Sequence, residues 1–167
     1  QLLIPFIGQP LILKDFVKSA KHYWEQACYI SSASDAIAVK NTIDYFLEVR
    51  GDAFEGGLVF REFVDFMPLA DHPSSRMPLV KEYRLFFLHG VLIARLRYWD
   101  IEGYTETDMP PSDLFVDIAK QVRSNFFTMD IAQRTDGEWM IIELGDAQVA
   151  GLPKNADVDA FYRALSQ

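Results

Sequence analysis

In the stretch TMDIAQRTDGEWMIIELGD (128–146), two strand-forming runs flank Asp136-Gly137. Each carries one carboxylate among apolar neighbours: Asp130 in the first, Glu143 in the second. A two-residue Asp-Gly loop favours a type I′ hairpin. That turn pairs Thr135 with Glu138 and sets Asp130 directly opposite Glu143, with Cβ atoms ~5 Å apart. Phe126, Trp139 and Ile141 are expected on the same face. Like charges facing each other in half-buried surroundings are unfavourable. Three arrangements relieve them: protonation of one acid, a basic side chain between them, or a divalent cation. Oxygen-only donors suit Mg²⁺ or Mn²⁺. Asp146, three residues after Glu143, adds another oxygen donor to the same corner and raises the demand for positive charge. The alternative without metal is a solvated strand pair or a buried arginine partner.

A second constellation has the opposite sign. VKEYRLFFLHGVLIARLRYW (80–99) reads as a hairpin turning at His89-Gly90. That turn places Glu82 opposite Arg97, Arg84 opposite Arg95 and Phe86 opposite Ile93. The other face then holds Tyr83, Leu85, Phe87, Leu92, Ala94 and Leu96 as core. Glu82–Arg97 reads as a cross-strand ion pair. Arg84 beside Arg95 calls for an anion, and guanidinium pairs suit phosphate oxygens through bidentate hydrogen bonds. The alternative is an exposed sheet face with scattered charge, and a slip of one residue in register would redistribute every side chain. A third cluster, LKDFVKSAKHYW (13–24), sets Lys14 in a strand and follows it with Lys18, Ser19 and Lys21. Lysines near strand ends are commonly just solvated. No glycine-rich phosphate loop of the Walker type is present, and the three histidines, His22, His72 and His89, suggest no catalytic triad.

The elements that must position these groups can be read from periodicity and breakers. LILKDF (11–16) is expected as a strand. SSASDAIAVKNTIDYFLEVRG (31–51) is expected as a helix, capped by Ser32 or Ser34 and closed by Gly51, with Ile37, Ile43, Phe46 and Leu47 as its apolar stripe. GLVFREFVDF (57–66) is expected as a strand, followed by a loop containing Pro68, Pro73 and Pro78. A loop over 104–113 leads to a helix over 113–125, the second hairpin covers 126–144, and a short helix over 157–167 ends the chain. This order suggests a mainly antiparallel sheet with helices packed on it, an α+β fold.

With 167 residues, half of them hydrophobic, the chain has the length of one domain and ample material for a core. No apolar run of about 18 residues is present, so no membrane-spanning helix is expected. A net charge of -8 argues against a nucleic-acid surface, which is normally basic. The single cysteine, Cys28, excludes an internal disulfide and multi-cysteine zinc sites and fits a reducing cytoplasm. A chain opening on Gln1 fits a fragment or a trimmed protein.

Acids for a metal, cations for phosphates and an antiparallel sheet together point to a nucleotide site. The sequence resembles the ATP-grasp superfamily, particularly its bacterial and phage clade rich in site arginines and lysines. The resemblance is carried by LILKDFVKSAKH, VFREFVDF, KEYRLFFLHGVLIA and FTMDIAQRTDGEWMIIELGDAQVAGLP, spanning residues 10–153. It implies a nucleotide held between two antiparallel sheets, with ATP and Mg²⁺, or Mn²⁺, as cofactors. Lys14 would reach the phosphates or the adenine edge, with Lys18 and Ser19 over the phosphates. Arg61 and the main chain of Glu62 to Val64 would meet adenine, and Glu82 would hold the ribose hydroxyls. Arg84 would contact phosphate or an acyl phosphate. Asp130 and Glu143 would bind metal, with Asp146 or Gln148 as third ligand. Three departures stand out. The family's usual Glu-x-Asn motif has Gly145 at its last position, KSAKHYW replaces the flexible glycine loop, and the chain is expected to hold a single ATP-grasp domain without the N-terminal domain that often supplies acceptor contacts.

The implied activity is ATP-dependent ligation of a carboxylate to an amine or thiol through an acyl phosphate, with Arg84 and Lys18 in catalytic roles. The carboxylate substrate and the acceptor are not named by the sequence. Tyr98 and Trp99 would either wall the acceptor pocket or pack in the core. Two rival readings are a degenerate ATP-grasp module that binds nucleotide or a protein without turnover, and an unrelated metal-dependent phosphohydrolase.

Overall fold

The computed structural model describes residues 3–105, 108–111 and 113–166. Parts of the loop expected at 104–113 and the last residue of the expected final helix therefore lie outside the described residues. Contacts within the chain group it into two compact units: Gln1–Val64 with Asp71–Pro78, and Asp65–Ala70 with Leu79–Gln167.

In the first unit, β1 (Leu11–Lys14) is the centre of a three-stranded antiparallel sheet, flanked by β2 (Tyr29–Ile30) and β3 (Val59–Glu62). Leu11 and Leu13 point to one face and are fully buried; Ile12 and Lys14 alternate onto the other. Helix α1 (Ala36–Arg50) covers the buried face. Its cap is Asp35 rather than Ser32 or Ser34: the Asp35 carboxylate accepts from the amides of Ile37 and Ala38, two of the donors a helix start leaves unpaired. Gly51 ends the helix at φ +46°, a conformation that favours glycine. The core-facing stripe is Val39, Ile43, Phe46 and Val49, whereas Ile37 and Leu47 are exposed. The strand expected at 57–66 is shorter at both ends: Gly57 and Leu58 precede the paired residues, and after a last bond from the Phe63 amide to the Pro10 carbonyl the chain leaves β1.

The proline-bearing stretch expected as a loop contains two short strands, β4 (Pro68–Asp71) and β5 (Pro78–Val80), paired with each other. The second unit is built on a four-stranded antiparallel sheet: β6 (Glu82–Leu88), β7 (Val91–Arg97), β8 (Phe126–Gln133) and β9 (Trp139–Asp146), in the order β7-β6-β8-β9. On one face Tyr83, Leu85, Phe87, Phe127, Met129 and Ile131 form a core with the segment around Tyr104 and Phe115. Only four residues of the helix expected at 113–125 are α-helical, α2 (Val116–Ala119). On the other face α3 (Val158–Leu165), capped by Asp157, seats Phe161 edge-on against Phe86, with ring centroids 4.8 Å apart. Among the described residues, no helix is long and apolar enough to cross a membrane.

Candidate functional site

The two hairpins of the second unit decide which charged groups meet. The β8–β9 connection is a three-residue loop over 135–137, not the two-residue turn expected at Asp136-Gly137. The Arg134 amide donates to the Glu138 carbonyl and the Gly137 amide to the Arg134 carbonyl, and Gly137 sits at φ +91°. This shifts the register by one, so Gln133 pairs with Trp139 and Ile131 with Ile141. A bulge at Ile142 then shifts it back, and Asp130 pairs with Glu143 as the simpler turn would have required. Trp139 and Ile141 consequently belong to the opposite, core face with Met129 and Ile131, while Phe126 keeps the expected side.

The β6–β7 turn has the expected His89-Gly90 centre, both residues at positive φ. Beyond it, however, a bulge at Ile93 moves the register: Phe86 pairs with Ala94, Leu85 with Arg95, Arg84 with Leu96 and Tyr83 with Arg97. The expected Arg84–Arg95 and Glu82–Arg97 pairs therefore do not form. Arg95 turns to the face opposite Arg84, where its guanidinium donates to the Pro110 carbonyl at 2.6 Å. Arg97 lies over the Tyr104 ring, 5.5 Å from its centroid. Leu92 stays on the Tyr83 face, but Ala94 and Leu96 move to the face covered by Phe161.

What faces Arg84 is Asp130, its direct neighbour across β6 and β8. The pair is bidentate: Nε lies 2.8 Å from Oδ1 and Nη2 2.7 Å from Oδ2. The guanidinium also donates to the Gly151 carbonyl and lies over Tyr98, 4.8 Å from the ring centroid. Its hydrogen bonds to Asp130 push its pKa above the usual value and keep it charged. Asp130 is 2% exposed; Glu143, one strand further, is exposed. Arg84, Asp130 and Glu143 thus form a row across three adjacent strands on one face. No basic side chain lies between the two acids; the structure shows instead the buried arginine partner, with Arg84 holding Asp130 from the strand on the side away from Glu143. Glu82 lies two residues before Arg84 on the same face and is buried, with Ala132 across from it.

Asp146 pairs with Phe127 and falls to the other face by register. Its Oδ1 accepts from the Gln148 amide at 2.9 Å. Asp146 is thus turned from the face of Asp130 and Glu143, and Gln148 follows beyond the end of β9. Gly145, where the resemblance expects asparagine, pairs with Thr128. A Cβ there would lie 2.8 Å from Thr128 Oγ1, so Thr128 fills the space such a side chain would need. Among the described residues, no group of three or more His, Cys, Asp or Glu is placed to hold a metal ion. Two facing carboxylates fit Mg²⁺, which commonly takes one or two carboxylates and completes its shell with water and phosphate oxygens, provided that Asp130 shares an oxygen now held by Arg84.

In the first unit, Lys14 lies on the sheet face away from α1. Arg61, across from Ile12, is its diagonal neighbour on that face. Glu62 pairs with Leu11 at the sheet's end and is exposed. Val64 follows just beyond the strand. Lys18 is exposed and Ser19 half-buried in the segment after β1. Asp15, which carried no role in the sequence reading, is fully buried beneath that segment and bound to Arg50. The only hint was its place directly after Lys14. Tyr98, beneath Arg84, was missed as a neighbour of the acids because the β6–β7 bulge lies in a stretch of unbroken β-forming sequence, whereas the Thr128–Gly145 pairing is the one the simpler turn also gives.

Antiparallel sheets with helices packed against them make this an α+β architecture. The chain belongs to an ATP-grasp domain family, the third family of the clade called R-two-K, which matches residues 7–165. No curated protein matches it. Among solved structures it is similar to the ATP-grasp ligase PsnB complexed with minimal precursor, Mg and ADP, at 18% identity and a TM-score of 0.47, covering 96% of this chain and 48% of that one. It is likewise similar to the same ligase with a phosphomimetic variant of the precursor, at 20% identity and a TM-score of 0.46, covering 94% and 46%. The chain spans about half the length of these solved structures.

Proposed function

We propose that the chain is the ATP-binding part of an ATP- and Mg²⁺-dependent ligase that joins a carboxylate to an amine or thiol through an acyl phosphate. The observation that carries this reading is the Arg84–Asp130–Glu143 row, in a chain whose family is built around ATP. Asp130 and Glu143 would hold the metal. Asp146 or Gln148 would join them only if the end of β9 turned toward their face. When bound, the metal would offset phosphate charge and leave the γ-phosphorus more open to a carboxylate nucleophile.

The protein's own groups do the rest. Arg84 spends its Nε–Nη2 fork on Asp130 and one Nη1 hydrogen on the Gly151 carbonyl, so the hydrogens left on its two terminal nitrogens would be the ones that meet phosphate or acyl-phosphate oxygens as charge builds up on them. Glu82 offers an acceptor for ribose hydroxyls. In the first unit, Lys14, Lys18 and Ser19 carry the phosphate-binding role, and Arg61 with the main chain of Glu62 to Val64 the adenine-binding one. Arg95, spent on Pro110 at the other face, has no role in this reading.

One observation favours the rival reading of a binding module without turnover. Both oxygens of Asp130 are taken up by Arg84, a neutral pair that needs no metal. Calorimetry with Mg·ATP separates the two. Metal-dependent binding that is lost in D130N/E143Q supports the ligase reading and justifies screening acids and acceptors for ADP release. Binding that ignores both Mg²⁺ and the double substitution supports the module. No binding of ATP in the unaltered chain overturns the nucleotide reading.

A further inference from the structure

We infer that Asp15 is a positioning residue that locks the turn after β1, so that this turn meets a polyphosphate with side chains rather than with backbone amides. The inference rests on the nucleotide-binding reading above and adds to it the part that sets the phosphate-facing lysines.

The turn is closed from both sides. The Asp15 amide donates to the Lys18 carbonyl at 3.0 Å. Asp15 Oδ1 accepts from the amides of Val17 at 2.8 Å and Lys18 at 2.5 Å. Its other oxygen, Oδ2, accepts from Arg50 Nε at 2.8 Å. Arg50 stands at the end of α1 and is itself tied to the Ala53 carbonyl at 2.6 Å. A carboxylate with no exposed surface, holding two amides and one guanidinium, has its acceptor capacity largely used. A buried charge paired this way is costly to disturb and holds its surroundings in one arrangement.

A second tie lies alongside. The Phe16 amide donates to the Glu55 carbonyl, and the Phe16 ring rests on Gly56-Gly57. A Cβ at Gly56 would come within 2.2 Å of that ring, so only glycine leaves room for it. The ring itself is 64% exposed; its seat on the glycines, not burial in a core, fixes it.

Glycine-rich phosphate loops cradle anions with successive free amides. Here the Val17 and Lys18 amides are already committed to Asp15. What the turn can present to an anion is the side chains of Lys14, Lys18 and Ser19, held at fixed separation because the backbone between them is sealed. Ordered cations of this kind lower the entropy lost on binding a polyphosphate.

The test compares affinities for Mg·ATP and for adenosine in the unaltered chain, D15N and R50Q, with thermal unfolding checked for each. The expected result is a fall of about tenfold or more in Mg·ATP affinity in both variants, with adenosine affinity unchanged, because only the phosphate-facing part is loosened. A purely structural role would lower both affinities together, or neither. Should D15N fail to fold, R50Q decides, since it leaves both amide bonds to Asp15 in place. In amide exchange by NMR, Val17 and Lys18 should stay protected with and without Mg·ATP. Variants that bind Mg·ATP like the unaltered chain, or exposure of those two amides on binding, overturn the inference and leave the nucleotide reading intact. An unaltered chain that binds no Mg·ATP overturns both.

Discussion

Arg84 grips Asp130 with two parallel hydrogen bonds across neighbouring strands, and the carboxylate beneath the grip is almost entirely shielded from water. The pair is a local neutral unit at the centre of the sheet face, beside an exposed Glu143 that has no such partner among the described residues.

Substituting Arg84 by methionine should cost about 3–5 kcal/mol in urea unfolding, because it strands a buried carboxylate. Pairing it with Asp130→Leu should recover most of that loss, since two apolar groups replace two charges. If R84M unfolds at the same urea concentration as the unaltered chain, the pair has no structural weight.

Gly145 faces Thr128 without room for a methyl group. Gly145→Ala should therefore lower stability by about 1–3 kcal/mol through overpacking, and adding Thr128→Ala should relieve it. Additive losses in the double variant, measured by thermal unfolding, would show that the two positions do not press on one another.

Asp15 predicts a pH dependence. Burial alone would raise its pKa, but the amides of Lys18 and Val17 and the Arg50 guanidinium outweigh burial and bring it from 3.8 to about 2. A depressed folded value means the ionised form stabilises the fold above the usual value, and that contribution is lost as pH falls from 3.8 toward about 2. The difference in melting temperature between the unaltered chain and D15N should be constant above about pH 5 and narrow between about pH 4 and 2. A difference that stays constant down to the bottom of that range would contradict the depressed value.

Cys28 lies in the core of the first unit with no exposed surface, and burial pushes its thiol up to about 12. At about pH 8 it should react with a disulfide reagent far more slowly than a free thiol and at the normal rate in denaturant. Rapid labelling of the native chain would mean that this core opens readily.

Much of this could be read from sequence, for a physical reason: turn chemistry and strand propensity are local. Gly51 as a helix stop and His89-Gly90 as a turn follow from conformational preferences of single residues. Bulges do not, because an extra residue in a run such as WMIIEL or VLIARL leaves composition and alternation almost unchanged. In β8–β9, two one-residue shifts cancel and the Asp130–Glu143 pairing survives. In β6–β7, a single shift is left uncompensated and carries Arg95 and Arg97 to the other face. The cap of α1 went to Asp35 rather than a serine because its carboxylate lies within reach of two helix amides. Asp15 matters through Arg50, 35 residues along the chain, which local pattern does not reveal.

Arg84 and Asp130 are 46 residues apart in sequence, although each sits in a hairpin whose own strands are adjacent. The β6–β7 and β8–β9 hairpins close short loops and can form early. Joining them along β6 and β8 requires closure of a much longer one, the kind of step that slows folding in β-rich chains. The guanidinium–carboxylate grip is therefore expected to form at the slow junction of the sheet. A substitution there is expected to act on the speed of maturation as well as on the finished protein, and to lengthen the interval in which the inner edges of both hairpins are open to pairing with another chain.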